Sequence, residues 1–138
     1  MARLLGIDPG SKRCGVAVTD REESMAFPRP ALARDEQLTA RLRSLVEEEG
    51  VELVVIGRPV ALSGNETAST HEADALFELL TEGLAPVPVV QWDERLTTQE
   101  AQRSLSQAGV KAKNHREHVD SAAAVIMLQS YVDGRRAQ

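Results

Sequence analysis

Aromatic residues are nearly missing from this chain, with one Trp, one Tyr and two Phe in 138 residues. Its core must therefore be built from Val, Leu, Ile and Ala, and no row of rings is available for stacking single-stranded bases. Cysteine is almost absent too. The single Cys14 excludes an intramolecular disulfide and suits a small strand residue in a reducing compartment. His71, His115 and His118 show no mutual ligand spacing, so a zinc site is not expected. No apolar run approaches the ~20 residues of a membrane span. Asp8 interrupts the apolar N-terminal stretch after a few residues, against a secretory signal. The expectation is a cytoplasmic protein with no membrane partner.

What is present is ordinary for a folded protein: 42% hydrophobic and 27% charged residues. The length favours one domain with one core, residues 1–138. A net charge of −5 would by itself argue against a nucleic-acid partner. Its distribution weakens that objection. No acid occurs from residue 101 to 116, where Arg103, Lys111, Lys113 and Arg116 are basic with His115 beside them. The acids crowd instead between Asp35 and Glu82. Charge segregated in this way can present one basic surface to phosphates.

The chain alternates strand and helix patterns without a repeat or a low-complexity linker. Leu4-Leu5-Gly6-Ile7 ends in Asp8, Pro9-Gly10 turns, Ser11-Lys12-Arg13 forms a basic loop, and Cys14 to Thr19 is a second apolar run. This predicts strand, turn, strand, with a carboxylate where the first strand ends. Met25 to Pro30 reads as a third strand closed by Pro28 and Pro30. Asp35 to Glu49 has helical spacing and Gly50 a stop, and Val51 to Ile56 reads as a strand buried on both faces. A loop spans Gly57 to Gly64, and a helix follows from about Glu66 to Leu80. Val87 to Trp92 reads as an edge strand, since Pro88 cannot donate a ladder hydrogen bond. Helices are expected near Thr97–Gln107 and His118–Val132. The latter carries a core-facing stripe of Val119, Ala122, Ala123, Ile126, Met127 and Ser130, whose alanines allow close approach to a sheet.

Three separate elements thus bring carboxylates towards one sheet edge: Asp8, the pair Asp93-Glu94 ending a strand, and Asp120 in the first turn of the last helix. Taken singly, each has a plain explanation as a turn or helix-end residue. Together they repel, and resist joint ionisation unless a cation lies between them. Hard Mg²⁺ or Mn²⁺ suits such oxygen ligands.

At this point the chain resembles the YqgF/RuvX family, RNase H-like proteins described as Holliday-junction resolvases and as nucleases maturing the 5′ end of pre-16S ribosomal RNA. The resemblance covers essentially the whole chain. It rests on Gly6-x-Asp8-x-Gly10-x-x-Arg13-x-Gly15-x-Ala17-x-x-Asp20, then Gly57-Arg58-Pro59 with Gly64. Asp93-Glu94-Arg95-x-Thr97-Thr98 and Asp120-Ser121-x-Ala123-Ala124 complete it. It implies an α/β, RNase H-like fold with a five-stranded mixed sheet, order 3-2-1-4-5, flanked by helices. Asp8, Glu94 and Asp120 match the acidic catalytic and metal-holding positions. Strands about 4.8 Å apart put the ends of strands one and five about 10 Å from each other. That gap favours the longer Glu94 over Asp93, and both stay open. Gly57 is expected to leave room for a metal or the scissile phosphate.

The resemblance implies hydrolysis of phosphodiester bonds with Mg²⁺ or Mn²⁺, in 5′-end processing of pre-16S rRNA. Arg13 and Arg95 are placed to contact phosphates, each with a salt bridge as the alternative, and Lys111, Lys113 and Arg116 are expected along the nucleic-acid path. Three other readings stand beside this one. A Holliday-junction resolvase cutting branched DNA would use the same chemistry and act as a homodimer, although no dimer-forming stripe stands out. Gly6-Ile7-Asp8-Pro9-Gly10 also resembles the first phosphate loop of actin-like ATPases and sugar kinases, but those need two such domains and 138 residues is too short. A catalytically silent RNA-binding module is the third, and it has no use for clustered carboxylates.

Overall fold

In the computed structural model, residues 2–97 and 121–136 are described, the last of them by its backbone alone. The strands are β1 (Arg3–Pro9), β2 (Arg13–Thr19), β3 (Ala26–Ala33), β4 (Val51–Arg58) and β5 (Val89–Asp93). Helices α1 (Leu38–Glu49), α2 (Ala68–Gly83) and α3 (Ala122–Arg136) flank them, and a 3₁₀ turn spans Glu94–Leu96. The sheet order is β3-β2-β1-β4-β5. β1, β2 and β3 form an antiparallel meander, while β4 pairs parallel with β1 and β5 parallel with β4. The expected topology is the observed one.

Side chains alternate across a strand, and this sorts the core into two layers. Leu5, Ile7, Cys14, Val16, Val18, Val54 and Ile56 pack on α1 and α2 through Leu38, Leu42, Leu76 and Leu80. On the other face Leu4, Ala17 and Val55 pack on α3 through Ala124, Val125, Met127, Leu128 and Val132. The close approach of α3 comes from the sheet's glycines. A Cβ on Gly6 would lie 2.9 Å from Leu128 Cβ, so the helix can sit at its observed depth only because residue 6 has no side chain.

Polar groups then fix the register of α3. The hydroxyl of buried Ser121 accepts the Val16 N–H at 3.0 Å and donates to the Arg29 carbonyl at 2.7 Å. Val16 and Arg29 are partners in the β2–β3 ladder, which slips register just before Val16, so one serine hydroxyl splices the ladder at its irregularity. Buried Gln129 similarly accepts the Ala26 N–H at 2.9 Å and donates to the Ser24 carbonyl at 3.0 Å.

Several expectations need correction. β3 is not closed by Pro28 and Pro30 but runs through both to Ala33, which edge position permits because half of its backbone groups face outward. β5 is the other edge, as Pro88 implied, but it starts one residue beyond that proline. α1 begins at Leu38 rather than Asp35, because the Asp35 carboxylate accepts the Gln37 N–H and forms a turn ahead of the helix. α2 starts at Ala68, capped by Thr67 and Thr70 reciprocally, and ends at Gly83. The stripe expected on α3 is partly out of phase with the buried arc. Ala123 is exposed, and Ala124, Val125, Leu128 and Val132 are buried alongside Met127 and Ser130. The rest of the helix expected over Thr97–Gln107, and the first residues of that expected over His118–Val132, lie outside the described residues.

Candidate active site

Asp8 lies near the end of β1, opposite Gly15 of β2. It shares the α3 face with Leu4 and Gly6, by the alternation of the strand. Two strands away, β5 ends at Asp93 and the chain turns through the 3₁₀ segment that begins with Glu94. β4 lies between, and its residue there is Gly57, paired with Trp92. The Glu94 side chain crosses over that glycine to reach Asp8. A Cβ on Gly57 would sit 2.9 Å from Glu94 Oε1 and 2.8 Å from the Met127 sulfur. The space at Gly57 therefore receives a carboxylate and a thioether, where a metal or phosphate was expected.

The two carboxyl groups are within hydrogen-bonding reach of each other. Burial first, then the hydrogen bond to Asp8 and the charges of Asp8 and Asp93, push the Glu94 carboxyl up to about 8. Carboxyl groups this close repel unless a proton or a cation lies between them. Asp93 behaves differently. Its carboxylate takes Arg95 Nε–H at 3.1 Å and Nη2–H at 2.6 Å, as well as the Arg95 backbone N–H at 2.9 Å. The Arg95 guanidinium accordingly holds the Asp93 carboxyl below its ordinary range. Of the pair left open by the sequence, Glu94 is the one that meets Asp8. Alternation along β5 already contained that answer: Val89 and Gln91 face α2, Val90 and Trp92 face α3, so Asp93 falls on the face away from Asp8.

Beside Asp8, an open cleft of about 430 Å³ is lined by Asp8, Gly10, Lys12, Arg13 and Gly15. The turn that forms it closes through the Gly10 N–H to the Arg13 carbonyl at 3.0 Å. Only glycine fits there, since a Cβ on Gly10 would lie 2.4 Å from that carbonyl oxygen. Lys12 and Arg13 are both exposed. Arg95, the other arginine expected on phosphates, is engaged with Asp93, and its Nη1 lies alongside Gly64. Arg58 is likewise committed, to Asp74 of α2 at 2.9 Å and to Glu66 at 3.4 Å.

Asp120, Lys111, Lys113 and Arg116 lie outside the described residues, as do Thr98, His115 and His118. Among the described residues no group of three or more His, Cys, Asp or Glu gathers into a ligand set. Ser121, the residue after Asp120, belongs to the motif Asp120-Ser121-x-Ala123-Ala124. Its structural role went unread, because a serine that splices two strands leaves no periodic signal in the sequence.

The sequence model of the RuvX family, described as "Holliday junction resolvase", matches residues 2–134. A protein of Mycolicibacterium paratuberculosis is 47% identical over 137 residues, spanning 98% of this chain and 82% of that one. Another, from Mycobacterium tuberculosis, is 45% identical over 138 residues, spanning 98% and 81%. Both bear the name "Putative pre-16S rRNA nuclease". Among solved structures, RuvC of T. thermophilus in complex with a Holliday junction substrate superposes with a TM-score of 0.66 at 19% identity, over 100% of this chain and 98% of that one. The fowlpox virus Holliday junction resolvase gives 0.56 at 10% identity, over 96% and 99%. At these identities the two structures speak for a common fold.

Proposed function

This chain belongs to the RuvX family, and from that premise we propose that it is a divalent-metal-dependent nuclease that trims the 5′ end of pre-16S rRNA. The observation that supports the chemistry best is the meeting of Asp8 and Glu94 across Gly57. Two half-buried carboxylates in contact are unfavourable unless a proton or a cation lies between them. Their donors are hard oxygens gathered at the C-terminal ends of β1 and β5, and that chemistry fits Mg²⁺ or Mn²⁺. Asp8, Glu94 and Asp120 would hold the ion. Support for Asp120 comes from Ser121, which is bonded to the backbone of Val16, one residue from the ladder partner of Asp8. When bound, such an ion supplies Lewis-acid stabilisation of the charge that develops on phosphate oxygens. Asp8 and Glu94, fixed on strand ends, orient the site, and the exposed Lys12 and Arg13 in the adjoining cleft attract the phosphate backbone. Lys111, Lys113 and Arg116 extend that attraction along the substrate, and Arg95 joins if it exchanges Asp93 for a phosphate.

The relatives' name favours ribosomal RNA, while the description of the family favours branched DNA. Purified protein should therefore be offered a pre-16S rRNA fragment and a four-way DNA junction side by side, with Mg²⁺, Mn²⁺ or a chelator. The proposal expects 5′ trimming of the RNA with either ion and none in chelator. Cleavage of the junction alone would transfer the protein to recombination. Undiminished cleavage in excess chelator would remove the metal from the mechanism.

A further inference from the structure

The turn that follows Asp8 is held by a residue that no motif singles out. Arg34 lies just past β3, at the same end of the strands as Asp8. Its Nη1–H donates to the Gly10 carbonyl at 2.9 Å, and its Nη2–H donates to the Glu72 carbonyl in α2, also at 2.9 Å. Its backbone N–H donates to the Lys12 carbonyl, again at 2.9 Å. One residue thus grips the turn at two carbonyls and ties it to a helix on the far face of the sheet. With the internal Gly10 to Arg13 bond, the Pro9–Arg13 segment is braced from inside and from two neighbouring elements. A planar guanidinium can span two carbonyls on different elements, which an ammonium group does far less well.

We propose that Arg34 is a positioning residue for substrate binding, fixing the Pro9–Arg13 turn so that Lys12 and Arg13 meet a phosphate of the nucleic acid beside Asp8. This rests on the nuclease reading above. A pre-set turn binds without the ordering cost that a loose one would incur. Contacts to a phosphate that does not react are equally strong in ground and transition states, so their loss shows in KM and leaves kcat alone.

The test compares Arg34→Ala, Arg34→Lys and the parent in steady-state cleavage and in amide hydrogen exchange of the folded protein. For Arg34→Ala, KM should rise about tenfold with kcat within about twofold, the pattern of lost uniform binding. Exchange at the Gly10 amide should speed up about tenfold, while exchange at Ile7, inside the β1 ladder, should not change. Arg34→Lys keeps the charge but lacks the fork, and should show a smaller rise of the same kind. Unchanged KM with unchanged Gly10 exchange would overturn the proposal, as would a fall in kcat at constant KM. If the parent itself failed to cleave, the nuclease reading would fall first. Exchange at Gly10 and nucleic-acid binding in chelator would still decide the role of Arg34, since both are read without turnover.

Discussion

At the scale of single residues, the site depends on an absence as much as on its acids. Gly57 has no side chain, and the Glu94 carboxylate occupies the room this leaves. Gly57→Ala should therefore act on activity more than on stability. The nearest atoms to the new methyl belong to the ends of two flexible side chains, Glu94 and Met127. Overpacking of this kind costs about 1–3 kcal/mol. Shifting a catalytic group by about 1 Å can cost on the order of a hundredfold in rate. Steady-state cleavage and thermal melting of the same preparation measure both effects, and full activity in Gly57→Ala would show that Glu94 is not needed where it lies.

Asp8 was legible in the sequence because an apolar run stops abruptly at an acid before a Pro-Gly turn. Glu94 over Asp93 was half legible. Reach and the family resemblance both favour it, and the alternation of β5 puts Asp93 on the face away from Asp8 once the two faces of the sheet are known. Gly57 was recognised as making room, but its occupant is Glu94 together with Met127, because neither side chain's path can be read without the packing of α3.

At the scale of elements, α3 is fixed on the sheet by polar hooks as well as apolar contacts. Ser121 is the one closest to the proposed site. Ser121→Ala would leave the buried Val16 N–H and the Arg29 carbonyl without this partner. A buried unsatisfied group costs about 1–3 kcal/mol, and urea denaturation should show a loss of that size. Activity should fall as well, since the same hydroxyl fixes the residue next to Asp120. An unchanged urea midpoint would mean that the β2–β3 ladder closes without the serine. The misplaced stripe on α3 has a related cause. The helix buries a wide arc that includes Gln129 and Ser130, so apolar periodicity alone could not set its phase. The end of β3 departs from the expectation because an edge strand tolerates the prolines that would stop a central one.

At the scale of the whole molecule, the sheet order was legible only through the family resemblance, which the motifs and their order carry, while the division of the core into two layers emerges from the strand faces of the structure. The acid-free stretch from 101 to 116 lies outside the described residues, and its part in binding rests on its charge alone. Replacing Lys111, Lys113 and Arg116 together with Ala should weaken nucleic-acid binding across sequences. Each lost phosphate contact should flatten the log–log salt dependence by roughly 0.7–0.9. Binding titrations over a salt series measure this, and an unaltered slope would make the stretch a solvated surface.

The central claim is that Asp8, Glu94 and Asp120 together hold the divalent ion of a phosphodiesterase. The most direct measurement is equilibrium Mn²⁺ binding, read by electron paramagnetic resonance, to the parent chain and to Asp8→Asn, Glu94→Gln and Asp120→Asn. Circular dichroism on the same samples verifies the fold. The account predicts that the parent binds Mn²⁺ and that each folded variant binds more than about a hundredfold more weakly, beyond the roughly 10–100-fold that disturbing a supporting residue usually costs. Folded variants that bind Mn²⁺ as tightly as the parent would contradict it.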